Sequence, residues 1–189
     1  MKTGLFFGSF NPIHNGHIAL ADYFAHHGLD EVWLVVSPHN PLKATADLWN
    51  DRMRLHLAEL ATRDKPHLRV CDIEFSLPKP NYTIDTLRTL CARFPERQFV
   101  LIIGADNAAV FHRWKQCTDI LSEFEVWAYP RAGFPSQNAD FPQIRFVDAP
   151  LYDLSATEVR RRLAQGQSIR GLLPDAVVAA IENHAIAHQ

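Results

Sequence analysis

Four apolar runs, each too short for a helix, recur at 5–7, 32–36, 99–103 and 125–129, separated by segments of helical period at 18–27, 52–62, 84–94 and 108–121. An unbroken apolar run of this length reads as a strand buried on both faces. Such strands need helices over each face, and the intervening segments are long enough for right-handed crossovers between parallel strands. Two more helical segments, 158–165 and 175–184, follow the last clear strand. The expected fold class is α/β: a Rossmann-like open, mainly parallel sheet with helices on both faces. Ligands of such sheets bind beyond the carboxyl ends of the strands, so the residues just after each strand carry the functional question.

With 189 residues, 47% hydrophobic and 21% charged, the chain can fill one core and is too short for two enzyme-sized domains, so one domain over 1–189 is expected. Nineteen Lys and Arg against twenty-one Asp and Glu leave a formal charge of -2. That balance offers no general cationic field for nucleic acid. Cys71, Cys91 and Cys117 are too few and too far apart for a disulfide framework or a close-spaced zinc site, which points to a reducing cytosol. No stretch reaches membrane-spanning length, and Gly8 and Asn11-Pro12 interrupt the N-terminus before a signal-peptide core can develop. A cytoplasmic, unprocessed protein is expected. The segments 38–49 and 130–142, rich in Pro, Asn, Ala and Ser, read as long surface loops.

The most informative stretch is Gly8-Ser9-Phe10-Asn11-Pro12-Ile13-His14-Asn15-Gly16-His17, directly after the first strand. Gly8 allows a turn that a side chain would block, and Gly16 allows another group close to the main chain. His14 and His17 stand three apart at a helix start, where unpaired amides and the helix dipole favour an anion. Two imidazoles converging there suit a polyphosphate. A metal reading needs a third ligand, and the local sequence offers only Ser9, Asn11 and Asn15 as polar groups. The spacing matches neither the dinucleotide fingerprint nor the P-loop.

Further along, Ser155 and Glu158 read as a capping box opening a late helix. The same helix start, with Thr157 and Arg160 in its first turns, is also a phosphate site. Arg160, Arg161 and Arg162 project about 100° apart, so they cannot all meet one ligand, and Arg160 is the choice. Lys43 lies in the first long loop, where a mobile cation can close over phosphates; its ordinary reading is a solvated lysine. Thr83 can cap the helix beginning near Ile84 and leave amides for a carboxylate or phosphate. Gly104-Ala105-Asp106 follows the third apolar run, which places Asp106 for ribose hydroxyls or for a helix cap. Trp114 offers a flat face for stacking, although a helical Trp more often belongs to a core. His39 and Arg131 have weaker claims.

Two of these motifs resemble the nucleotidylyltransferase superfamily: His14-Asn15-Gly16-His17 is similar to its His-x-Gly-His motif after the first strand, and Leu154-Ser155-Ala156-Thr157-Glu158-Val159-Arg160 to its late Ile/Leu-Ser-x-Thr-x-x-Arg motif. Three further stretches resemble the bacterial nicotinate-nucleotide adenylyltransferases in particular. They are Ser37-Pro38-His39-Asn40-Pro41-Leu42-Lys43, Tyr82-Thr83-Ile84-Asp85-Thr86-Leu87, and Ile103-Gly104-Ala105-Asp106-Asn107 leading to Phe111 and Trp114. With Leu172-Leu173-Pro174 the resemblance covers nearly the whole chain.

The resemblance implies transfer of AMP from ATP to nicotinate mononucleotide, giving the deamido dinucleotide and pyrophosphate by direct in-line attack, with Mg²⁺ travelling with ATP. It implies catalytic roles for His14, His17, Lys43 and Arg160, within a cationic pocket on a mildly acidic protein. ATP contacts would come from Gly8, Ser9, Phe10, Gly16, Gly104, Asp106, Ser155 and Thr157, and acceptor contacts from Tyr82, Thr83 and Trp114, the last stacking on the pyridine ring. No protein-bound metal is expected, because no Cys, His and acid residues cluster at ligand spacing. The expected partners are the two small substrates, with neither nucleic acid nor membrane, and a homo-oligomer is compatible with the sequence. Ser9 and Asn11 stand where many relatives have Gly and Asp, and Arg170-Gly171 where many have a Tyr before Leu-Leu-Pro. The alternatives are a nucleotidylyltransferase with another acceptor, such as nicotinamide mononucleotide or phosphopantetheine, and a non-catalytic nucleotide-binding module.

Overall fold

A computed structural model describes residues 1–38 and 48–187, the side chains of 184–187 excepted. Six strands form one sheet: β1 (Lys2–Gly8), β2 (Glu31–Val36), β3 (Leu68–Cys71), β4 (Gln98–Gly104), β5 (Glu125–Tyr129) and β6 (Arg145–Phe146). Their order is β3-β2-β1-β4-β5-β6 and every neighbouring pair is parallel. This is the open, doubly wound α/β sheet expected from the apolar runs. All six residues of β2 are buried, as a strand covered on both faces requires.

Alternate strand residues feed two cores. Phe6, Leu34, Ile102 and Trp127 pack on one face beneath α1 (Asn15–His26), α2 (Asp51–Thr62), α6 (Ala156–Ala164) and α7 (Asp175–Ala187). Leu5, Val35, Leu101 and Val126 pack on the other beneath α3 (Thr83–Arg93), α4 (Ala105–Ala109) and α5 (Cys117–Glu123). The order reverses at β1, which pairs with β2 on one side and β4 on the other. A crevice therefore opens beyond the carboxyl ends of β1 and β4.

The structure departs from the sequence reading in three places. β3 and β6 lie at the sheet edges, where short strands and a polar face are the rule. Arg69 interrupts the apolar run of β3, and β6 has only two residues, so neither produces a continuous apolar signal. The third departure is the helix expected over 108–121. It divides into α4, a short 3₁₀ turn at Phe111–Arg113, and α5. Trp114 has extended backbone and Gln116 a left-handed φ of 52°, so the chain turns twice within the interval. Phe111 and Trp114 stand three apart and fit a helix, but Phe111 is fully buried while Trp114 lines the crevice. Tertiary position overrides the helical period here. Among the described residues no helix is long and apolar enough to cross a membrane.

Candidate active site

The loop after β1 is held by contacts from three sides. Arg54 of α2, its side chain wholly inaccessible to solvent, donates to the carbonyls of Ser9, Ser37 (2.8 Å), Pro38 (3.1 Å) and Trp49 (3.0 Å) and pairs with Asp51 at 2.6 Å. From α6, Arg160 donates to the Asn11 carbonyl at 2.8 Å. The Asn11 side chain accepts from the Trp49 amide at 3.0 Å. From the C-terminal segment, the Leu172 carbonyl accepts from the Asn15 amide and the Gly171 carbonyl from the Asn15 side chain, both at 2.9 Å. Gly171 has a φ of +79°, a conformation glycine adopts without strain. Asn11 and Gly171 thus carry local bonds: Asn11 pins the loop, and Gly171 turns onto the start of α1.

At Gly8 the group that a side chain would meet is the Phe10 ring. A Cβ there would lie 2.8 Å from the Phe10 ring, so glycine is needed for the ring to fold under the strand end. Phe10, with a φ of 43°, is buried and meets the His17 ring edge-on at 5.1 Å. Its side chain packs against His17 beneath the strand end. At Gly16 the closely approaching group is the His14 imidazole, 3.2 Å from a Cβ placed there.

His14 and His17 cap α1 reciprocally. The His17 amide donates to Nδ1 of His14 and the His14 amide donates to Nδ1 of His17, each at 3.3 Å, and the rings stack with centroids 3.6 Å apart. An Nδ1 that accepts an amide hydrogen carries no proton, so each neutral ring keeps its proton on Nε2 as a donor. Burial, reinforced by the Arg131 charge, lowers the His14 pKa to about 4. At neutral pH His14 is a neutral donor, so this ring adds no formal charge to the expected cationic pocket. The formal charge nearby comes from Arg131 and Arg160.

This shift has a consequence for stability. The unfolded chain binds a proton on His14 near pH 6.5 and the folded protein only near pH 4. Stability from this group is therefore complete above pH 6.5 and is lost as pH falls toward 4. The shift corresponds to about 3 kcal/mol. Denaturant unfolding at pH 7 and pH 4.5 should show a loss of that order, and His14→Asn should abolish most of it; equal pH dependence of the two proteins would refute the assignment.

Beyond β1 and β4 lies a cavity of about 190 Å³ that brings together Gly8, Ser9, Gly104, Tyr82, Thr83 and Trp114 of the sequence-derived set. Its helical wall is the start of α3. Tyr82, rather than Thr83, is the N-cap, Thr83 is the first helical residue, and no side chain caps this end. The first amides of a helix have no intrahelical partner, so Thr83 and Ile84 present N–H groups at this end. Trp114 adds a buried indole N–H without a hydrogen-bond partner, and the Asn81 side-chain oxygen is likewise unpartnered. Lys115 joins the two walls, its ammonium 4.5 Å from the Tyr82 ring centroid and 2.9 Å from Asp85.

Ser155 caps α6 by accepting from the Glu158 amide at 3.2 Å. The reciprocal half of the expected capping box is not formed. Hydrogen bonds from Arg161 and Arg162 engage the Glu158 side chain and lower its pKa to about 2. Those two arginines are thereby turned away, leaving Arg160, bonded to Asn11 and at 3.3 Å to Thr157, as the arginine of the three that meets the β1 loop. Asp106 faces Arg131 at 3.6 Å, and a Cβ on Gly104 would collide with its carboxylate. Lys43 and His39 lie outside the described residues.

Four residues had no place in the main sequence-derived set: Arg54, Glu74, Lys115 and Arg131. Arg131 follows β5 almost directly, so its position beyond a strand end was the available signal. Glu74 is buried on the cavity wall, accepts from the Thr86 hydroxyl at 2.8 Å, and has its pKa pushed up by burial. Nothing in the sequence distinguishes Arg54 or Glu74 from a solvated charge.

The family model described as cytidylyltransferase-like matches residues 5–162. A probable nicotinate-nucleotide adenylyltransferase of Bacteroides fragilis is 50% identical over 182 residues, covering 95% of this chain and 90% of the relative. One from Flavobacterium psychrophilum is 43% identical and covers 97% of each chain. In fold the chain is similar to Plasmodium falciparum nicotinic acid mononucleotide adenylyltransferase complexed with NaAD, with a TM-score of 0.79, 16% identity, and coverage of 99% of this chain and 97% of that one.

Proposed function

The chain belongs to the nicotinate-nucleotide adenylyltransferases, within the cytidylyltransferase-like family, and from that premise we propose how its residues divide the reaction. The enzyme transfers the adenylyl group of ATP to nicotinate mononucleotide in NAD biosynthesis. A phosphate oxygen of the mononucleotide forms a bond to the α-phosphorus as the bond to the β-bridging oxygen breaks and pyrophosphate leaves. The attacking oxygen is already anionic, so alignment and charge stabilisation are the tasks left to the protein.

In this reading His14 and His17 donate from Nε2 to ATP phosphates, and Arg160 with Lys43 neutralises the leaving pyrophosphate. Gly8, Ser9, Gly16, Gly104, Asp106, Ser155 and Thr157 frame the nucleotide, with Phe10 supporting from beneath. Among the described residues the crevice gathers no set of three carboxylates or imidazoles, and Asp106 is directed to Arg131. Mg²⁺ would thus arrive with ATP, coordinated chiefly by phosphate oxygens and water, and supply charge neutralisation. We take residues 1–189 to act as one unit in the cytoplasm, with small-molecule substrates and no nucleic acid or membrane partner.

The observation that carries the acceptor assignment is the uncapped start of α3 facing the unpartnered Trp114 indole N–H in one cavity. Both are donors. A carboxylate accepts through both oxygens, whereas a carboxamide turns an NH₂ toward a donor and leaves a buried group unpaired, costing roughly 1–3 kcal/mol. Nicotinate mononucleotide should exceed nicotinamide mononucleotide by at least about tenfold in kcat/KM, read as pyrophosphate release from ATP. Thr83→Pro sharpens the test. Proline is well tolerated at the first helical position and Tyr82 already has extended backbone, so α3 should persist with one donor removed. This variant should erode the preference for the acid, while Trp114→Ala should weaken both acceptors. Equal use of the two acceptors by the unmodified enzyme would refute the assignment of this helix end.

A further inference from the structure

At the edge of the sheet opposite the crevice, α1 ends beside the chain entering β3, and three potential ligands meet there. Asp22 and His26 are four apart on α1, hence on one helical face, and His67 immediately precedes β3. One ligand atom from each lies within 4.8 Å of the other two. We propose that Asp22, His26 and His67 form a binding site for a divalent transition-metal ion of the Zn²⁺ class, separate from the Mg²⁺ that accompanies ATP. The expectation of no ligand cluster is corrected here, because the three residues assemble only in the fold.

The hydrogen bonds around the cluster favour this use. Nδ1 of His26 lies 2.7 Å from the Asp22 carbonyl oxygen. A carbonyl only accepts, so Nδ1 bears the proton and Nε2 keeps a lone pair. Metal-ligating imidazoles are commonly oriented by this kind of bond from their other nitrogen. Nε2 of His67 lies 2.7 Å from the Asp22 carboxylate, and an ion there would replace the proton shared by the pair. The His26 and His67 rings meet at 4.7 Å and 74°. Tetrahedral ligands at about 2.0–2.2 Å from an ion stand about 3.3–3.6 Å apart, so modest side-chain rotation closes the set.

Two imidazoles and one carboxylate suit Zn²⁺, Ni²⁺ or Co²⁺ better than Mg²⁺ or Ca²⁺. His26 is the last residue of α1, where the helix dipole favours a cation. Lys65 is the built-in competitor, its ammonium 3.0 Å from the same Asp22 oxygen. Exposure of His26 leaves water to complete the coordination. An ion here would staple the end of α1 to the start of β3.

The test is calorimetric titration of the full, untagged, metal-free chain with Zn²⁺, together with the visible spectrum of its Co²⁺ form. One equivalent should bind, and His26→Ala and His67→Ala should each weaken it at least about tenfold without changing Mg²⁺-supported turnover. Lys65→Met should bind more tightly, an effect that scattered histidine binding would not produce. His14→Asn should retain the full equivalent, which separates this site from the stacked pair at the crevice. Absence of stoichiometric uptake, or unchanged affinity in both histidine variants, would overturn the proposal.

Discussion

Replacing His14 or His17 by Ala should lower turnover by about two to three powers of ten, the scale of losing a donor that stabilises charge in the transition state. The reciprocal cap on α1 makes the two kinds of loss separable. His14→Ala also removes the acceptor for the His17 amide, at about 1 kcal/mol of stability. His14→Asn supplies a preferred N-cap side chain without an Nε2 donor, so it should recover that stability and none of the lost turnover. Steady-state kinetics beside urea unfolding would distinguish the effects. Near-normal turnover in a folded His14→Asn enzyme would refute the phosphate role.

The largest effect on stability is expected at Arg54. Its guanidinium satisfies four backbone carbonyls from the loops after β1 and β2 and the approach to α2. Arg54→Met places an apolar group of similar length in the same space and leaves those carbonyls without this donor, together with the Asp51 carboxylate. Breaking a buried, hydrogen-bonded charge network costs about 3–5 kcal/mol. Burial lowers the Arg54 pKa, but a guanidinium remains charged at neutral pH. Should Arg54→Met yield no folded protein, Arg54→Lys keeps the charge with fewer directed donors. That variant should show a smaller loss of stability and a raised KM for ATP, because Ser9 and Ser37 are no longer held together. An unfolding free energy within 1 kcal/mol of the unmodified protein for Arg54→Met would contradict this role.

Strands β1, β2, β4 and β5 were legible because each contains a continuous apolar run, and burial on both faces leaves no polar alternation within it to confuse the pattern. Edge strands lack that pressure, which is why Arg69 in β3 and the two residues of β6 gave no signal. The interval 108–121 departs from its helical period for a different reason. Its apolar spacing is helical, but moving Trp114 to the cavity requires extended backbone there and a left-handed residue at Gln116. The meeting of Tyr82, Thr83 and Trp114 at one cavity, and of the His pair and Arg160 around the β1 loop, was legible from their motifs and their places beyond strands or at helix starts. The neutral state of His14 was not, because it depends on burial and on Arg131 more than a hundred residues away.

The sequence alone determined the parallel sheet, the helices that cover it and the family, since apolar period and local motifs are properties of neighbouring residues. Tertiary structure decided which side chains act together. It turned Arg160 onto Asn11, buried Arg54 beneath three connecting segments, and assembled Asp22 and His26 with His67. Each of these outcomes joins residues distant along the chain, and their charge, protonation and hydrogen bonding depend on the partners and solvent exposure that only the packed fold supplies.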